Sequence, residues 1–428
     1  MRLEVGSVHI SDIQFADKTS VRDGVLYIKK DELSRITGDD ERIKSVEVFL
    51  ARPGESVRIV PVKDVIEPRV KVEGPGGIFP GYLSGVEQVG SGRTHVLSGV
   101  AVVTTGKIVG FQEGIIDMSG TGAQYTPFSK MNNVVVKIEP INDIKPHEHE
   151  FVLRLAGLRA ANYLAKIAKN IEPDKLNVYE TKPLLEQIAQ YPDLPKVAYV
   201  YMLQTQGLLH NTFYYGVDVS QIVPTFMYPT EIMDGAIVSG NCVSACDKNP
   251  TYVHQNNPII EDLYSEHGKT LNFIGCVITN ENVTLMDKER SSDMTAKLVK
   301  YLGADAVIIS EEGFGNPDAD LVMNCNKIEK LGIKTVLVTD EYAGQDGASQ
   351  SLADSTPLGD ACVTAGNANE VINLPPMETV IGYPEVINVI AGGWNGSLKP
   401  DGSIEAEIQL IIGATNELGF HNLTAKGV

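Results

Sequence analysis

The chain has 428 residues, enough for more than one hydrophobic core, and its 43% hydrophobic and 21% charged content is that of a protein folded throughout. Acidic residues number 55 against 36 basic ones, and the resulting net charge of -19 repels phosphate backbones and anionic lipid, which argues against nucleic acid and membrane partners. No apolar run nears the roughly 20 residues of a spanning helix and the N-terminus lacks a signal-like stretch, so a cytoplasmic protein is expected.

Up to about residue 140 the chain reads as short β-branched runs punctuated by Gly and Pro: 25–30, 46–50, 57–62 and 96–106 are strand-like. The period changes at 148–169, where Val152, Leu153, Leu155, Leu158, Ala161, Leu164 and Ala165 recur at helical spacing, and a second helix is expected at 181–190. Residues 196–207 predict a buried strand running into a loop, and 234–242 a strand ending in a glycine-bounded turn. Then Val/Ile-rich strands at 271–279, 305–310 and 334–340 alternate with helices at 287–303 and from near Asp318. Continuous apolar strands separated by helices predict a parallel sheet with crossovers. The expected fold is thus α/β, an N-terminal β-rich region followed by a doubly wound, mostly parallel α/β region. The expected domains are 1–147, 148–241 and 242–428. Ligands of such sheets lie beyond the carboxyl ends of the strands, which directs attention to the loops after Thr279, Ser310 and Asp340.

Several residue sets bear on chemistry. Gly313-Phe314-Gly315 follows a strand, but Asp318 stands where a dinucleotide fingerprint needs its third glycine. Glu311-Glu312 reads by default as a solvated loop, with acid-base work or a cation site as the alternative. His147-Glu148-His149-Glu150 lacks the i, i+4 geometry of a helical zinc site and reads as an exposed helix start, while His210 and His254 are isolated histidines. No metal site is expected. The five cysteines, Cys242, Cys246, Cys276, Cys325 and Cys362, are odd in number and argue against a disulfide framework, and the C-x3-C spacing of Cys242 and Cys246 fits neither a redox loop nor a zinc knuckle.

Gly240-Asn241-Cys242 suggests another reaction. A thiol whose own peptide nitrogen belongs to the bond being broken can attack the preceding carbonyl in an N-to-S acyl shift, given a tight turn and a relaxed backbone at Gly240. β-Elimination of the thioester then leaves dehydroalanine, which becomes a pyruvoyl ketone with loss of ammonia.

The segment from Asp234 to Asp247, DGAIVSGNCVSACD, resembles the processing region of the component B precursors of the glycine, sarcosine and betaine reductase complexes. The opening MRLEVGSVHISDIQF, the stretch TYVHQNNPIIEDLYSEHGKTLNFIG, the loop SEEGFGNPDADL and the run LVTDEYAGQDG resemble the same family, so the likeness covers essentially the whole chain. The glycine reductase member is the most similar in kind.

The resemblance implies a proprotein cut between Asn241 and Cys242, with Cys242 as the catalytic residue and precursor of a pyruvoyl group. That group would bind glycine as a Schiff base for reductive deamination. It also implies partners: a selenocysteine-containing component B subunit, a selenoprotein carrier (component A) whose selenolate displaces the nitrogen, and a component C that forms acetyl phosphate. Sarcosine, a secondary amine, suits the same chemistry; betaine, a quaternary one, does not form an iminium. The substrate carboxylate needs a cationic or N–H partner, for which Arg159 or a helix N-terminus in the second half are the candidates. The rivals are an uncleaved cysteine-nucleophile enzyme and a non-catalytic assembly module.

Overall fold

The computed structural model describes residues 1–108, 113–206, 211–240 and 248–418. The expected β-rich start forms a small three-stranded sheet of Asp12–Phe15, Val25–Ile28 and Ser20–Arg22 and two larger sheets. In one, Lys175–Glu180, Arg2–His9, Gly92–Ser98 and Arg69–Glu73 lie side by side; in the other the order is Gly114–Asp117, Val57–Ile66, Val100–Gly106, Asn132–Pro140 and Ile43–Ala51. The run 96–106, expected as one strand-like stretch, divides between the two sheets at Gly99. Its φ of +80° turns the chain, and a Cβ there would stand 2.6 Å from the Ile10 carbonyl oxygen.

The helix expected at 148–169 runs from Pro146 to Ala165 and continues as a 3-10 turn to Asn170. Leu153, Ala156, Ala160 and Leu164 bury one face of it against Val102, Val134 and Val136 of the second sheet. Close approach depends on Gly157, where an added methyl would meet Thr104 Cγ2 at 2.5 Å and Ile66 Cδ1 at 3.0 Å. Gly157→Ala is therefore expected to overpack this interface and cost about 1–3 kcal/mol, read as a lower midpoint of urea denaturation with an unchanged slope. An unchanged midpoint would show that the helix can move off the sheet without cost.

The second half is α/β as expected. Its sheet has the order Thr225–Met227, Asn272–Asn280, Lys196–Leu203, Ala306–Glu311, Lys334–Glu341 and Ala361–Asn367, and only the first of these strands is antiparallel to its neighbour. Numbered along the chain, the five parallel strands lie in the order 2-1-3-4-5, a doubly wound arrangement. Side chains alternate along Lys196–Leu203 with the period of two that a strand imposes. Ala198, Val200 and Met202 pack with Val299, Leu321, Cys325 and Ile328 of the helices Leu285–Leu302 and Asn316–Glu329. Tyr199, Tyr201 and Leu203 face the other way, into a core shared with Ile59, Val62 and Val65 of the N-terminal region.

Boundaries follow local chemistry. The Leu285–Leu302 helix is capped by Thr284, whose hydroxyl accepts from the Asp287 amide, and stops at Gly303 in the left-handed conformation. The helix expected from 181 begins only at Leu184, because Pro183 takes the extended conformation before it. Of the strand expected over 234–242, the described part, 234–240, holds only Ile237–Val238, since Asp234 closes the helix Pro229–Met233 just before it, and 241 and 242 lie outside the described residues.

Candidate functional site

In a 2-1-3-4-5 sheet the connections depart in opposite directions from the first and third strands, which opens a crevice beyond their carboxyl ends. Here those ends are Leu203 and Glu311. The expected junction Asn241-Cys242 lies outside the described residues, as do Cys246 and His210, but the residues on both sides of 241–247 and 207–210 are described and converge at this crevice.

Gly240 and Lys248 meet across the ends of 241–247. The Gly240 amide donates to the Asn211 carbonyl oxygen at 3.2 Å, and the buried Lys248 Nζ donates to the same oxygen at 2.6 Å. A Cβ on Gly240 would lie 2.7 Å from that oxygen, 2.9 Å from Lys248 Nζ and 3.4 Å from Glu150 Oε1, so no side chain fits there.

Glu312 ties the same flanks together from the other side. Its Oε2 accepts from the Gln204 amide at 2.8 Å and the Thr212 hydroxyl at 2.7 Å, and its Oε1 accepts from the Asn249 amide at 2.9 Å. The carboxyl is fully buried, and desolvation pushes its pKa up while the Lys248 charge and these three donors hold it down. His254 Nε2 stands 3.4 Å from Oε1, out of hydrogen-bond alignment and otherwise unpaired. Burial and the charge of Lys248 lower the imidazole pKa to about 3, so the ring is neutral. Its Nδ1 shares a 2.7 Å hydrogen bond with the Tyr201 hydroxyl, and Tyr201 stacks on Tyr199 with ring centroids 5.1 Å apart. Asn249 Nδ2 donates to Glu417 Oε1.

The default expectation of a solvated Glu311-Glu312 loop is corrected, for both residues are fully buried. The strand runs one residue past Ser310, so Glu311 is the last ladder position; its Oε2 accepts from Thr339 at 2.9 Å, and its carboxyl lies beside that of Asp318. Glu281, one residue past the strand Asn272–Asn280 on the other side of Lys196–Leu203, has neither carboxyl oxygen paired. Burial, and after it the neighbouring carboxylates, push the pKa of both groups up. Asp318, which occupies the place of the missing third glycine, caps the Asn316–Glu329 helix by accepting from the Gly315 and Ala353 amides.

Of the other candidates, only Glu150 reaches the Gly240 flank. His147 and Glu148 are exposed as expected, but the helix turns His149 and Glu150 inward. Glu150 forms a bidentate pair with Arg154 at 2.8 and 2.9 Å, and burial lowers the His149 pKa to about 4. Arg159 donates to the Asp39 carbonyl oxygen at 2.6 Å, away from the crevice. Cys276 and Cys325 are buried and Cys362 is exposed. Lys248, Asn249 and Thr212 carry no sequence motif, and only the apolar strands around them signalled burial. Among the described residues no group of His, Cys, Asp and Glu could hold a metal ion, and no helix is long and apolar enough to cross a membrane.

Fold and crevice define an α/β protein with a doubly wound, mostly parallel sheet whose switch point is lined by buried carboxyls. The chain belongs to the glycine/sarcosine/betaine reductase component B subunits, whose family pattern matches residues 1–426, and so to the protein components of reductase complexes. It is 66% identical, over the full length of both chains, to "Glycine reductase complex component B subunits alpha and beta" of Acetoanaerobium sticklandii. It is 59% identical, again over the whole of both, to "Sarcosine reductase complex component B subunit alpha" of Peptoclostridium acidaminophilum. A more distant relative, "D-proline reductase proprotein PrdA" of Acetoanaerobium sticklandii, is 20% identical over 76% of this chain and 53% of its own length. No solved structure matches.

Proposed function

We propose that this chain is the proprotein of the component B of a glycine reductase and that it cuts itself between Asn241 and Cys242, converting Cys242 to a pyruvoyl group. The observation that carries this reading is the closed polar frame around the ends of 241–247. A glycine with no room for a side chain, a buried lysine and a buried glutamate fix both flanks. Intramolecular attack needs such fixation, because holding sulfur and carbonyl together replaces an improbable encounter with a local step.

A pyruvoyl ketone supplies an electron-accepting carbonyl to the nitrogen of an amine. The residues facing the crevice fit such a group: His254 Nε2, Asn249 Oδ1 and Glu417 Oε2 are buried with no partner, leaving donor and acceptor capacity for a carbonyl and a small polar substrate. The neutral His254 tolerates an amine, and Lys248 replaces Arg159 as the candidate for holding the substrate carboxylate. Glycine is the substrate this reading favours, since the glycine reductase relative is more similar than the sarcosine one. The reducing selenol belongs to a selenocysteine-containing component B subunit and a component A carrier, and a component C releases the product as acetyl phosphate.

The test is the intact mass of the mature protein from its native host. Two chains corresponding to residues 1–241 and 242–428 are expected, the second labelled by a hydrazide probe for ketones. A single 428-residue chain, or a second chain beginning with a free, sequenceable cysteine, would reject the reading and favour the uncleaved cysteine enzyme.

A further inference from the structure

We propose that the buried carboxyls of Glu281 and Glu417, together with the side-chain amide oxygen of Asn249, form a site for a small ammonium cation. The inference narrows the polar ligand of the proposed function to one that carries a positive charge and N–H donors, and it involves described residues alone. Binding at this site needs no cleavage of the chain, so the two readings fail separately.

Position is the first argument. The Glu281 amide donates to the Leu203 carbonyl oxygen at 3.3 Å, which seats Glu281 at the crevice. The next amide after Leu203, that of Gln204, donates to Glu312 Oε2 at 2.8 Å, and Glu312 Oε1 accepts from the Asn249 amide at 2.9 Å. Asn249 Nδ2 donates in turn to Glu417 Oε1, which brings its own Oδ1 alongside that carboxyl. Glu281, Glu417 and Asn249 are all at most 1% exposed. Both carboxyl oxygens of Glu281, Glu417 Oε2 and Asn249 Oδ1 have no hydrogen-bond partner among the described residues. The last of these belongs to an amide, so the open atoms are more than a cluster of acids.

The second argument is chemical. A buried carboxyl without partners is costly in either protonation state, because a protonated one still has an O–H to place. The open atoms are acceptors, so what completes them is a donor, and an ammonium cation, like a lysine head group, is all donor and no acceptor. Charge points the same way. Burial pushes the Glu281 pKa up and the charges of Glu311, Glu312, Asp320 and Glu417 push it further, while burial and then Glu312 do the same to Glu417. A cation between the carboxyls opposes both causes. The buried cations nearby serve other groups: Lys288 pairs with Asp320 and donates to the Asn316 carbonyl oxygen at 2.8 Å, Arg154 is held by both oxygens of Glu150, and Lys248 donates to the Asn211 carbonyl oxygen.

The experiment is isothermal titration calorimetry of the purified full-length protein with ammonium chloride, in sodium buffer at constant ionic strength. Saturable binding at one site per chain is expected, at least ~10-fold tighter than binding of potassium, which is close to ammonium in size and charge but has no hydrogen to donate. Methylammonium sorts the two sources of such a cation: if it binds as well, the site admits the ammonium end of a small amine, and if it does not, the ligand is the free ion. Glu281→Gln removes a charge and turns an NH2 toward the cation, and should weaken ammonium binding at least ~10-fold. Ammonium should also raise the melting midpoint of the wild type and leave that of Glu281→Gln unmoved, since only a bound ligand stabilises the fold. Undiminished ammonium binding by Glu281→Gln would overturn the proposal. So would an absence of saturable binding by the wild type, or equal binding of ammonium and potassium, results that need no variant and stand even if Glu281→Gln fails to fold.

Discussion

Cys242→Ala is expected to remain one uncut chain with no ketone, whatever the time or pH, because only the residue 242 side chain carries the atom that must attack and later leave. Cys242→Ser should still cut, more slowly, since a hydroxyl makes the same acyl shift as a weaker nucleophile. Cys246→Ala should cut like the wild type, which separates the two cysteines of this segment. Denaturing electrophoresis with intact mass reads all three, and N-terminal sequencing of the wild-type 242–428 fragment should be blocked until the ketone is removed. Cleavage of Cys242→Ala at the wild-type position would mean that another group cuts the chain and that residue 242 is not the source of the carbonyl.

Glu312→Gln should be the most damaging change to the described part of the site. The carboxylate accepts three hydrogen bonds, two from the backbone amides of Gln204 and Asn249 and one from Thr212. An amide offers one oxygen, so whichever way it is turned its NH2 faces one of those backbone N–H groups and leaves it buried without an acceptor. The expected cost is about 1–3 kcal/mol of stability, seen as a lower denaturation midpoint. The substitution also removes the largest charge that holds the Lys248 pKa up. That pKa should therefore drop further. Glu312→Asp keeps the charge but shortens the arm, and should slow cleavage. Wild-type melting and wild-type cleavage in Glu312→Gln would show that the flanks of 207–210 and 241–247 are held by something other than this carboxyl.

The sequence by itself determined the layers. Continuous Val/Ile runs bounded by turns, and period 3.6 in 148–169 and 287–303, are local signals, and the strands and helices appear where those signals are strongest. It also pointed to the carboxyl ends of the strands, and Glu281 and Glu311 stand beyond Thr279 and Ser310. Only the tertiary structure decided what those residues are. Glu312 looks like any solvated acidic residue until the ladder between Lys196–Leu203 and Ala306–Glu311 carries it under the residues flanking 207–210. Lys248 is one lysine among many until the chain returns to place it against Gly240, where desolvation changes its proton affinity. Periodicity reports which face of an element avoids water. The pairing of polar atoms from distant segments depends on how those faces are assembled, and there the proposed chemistry resides.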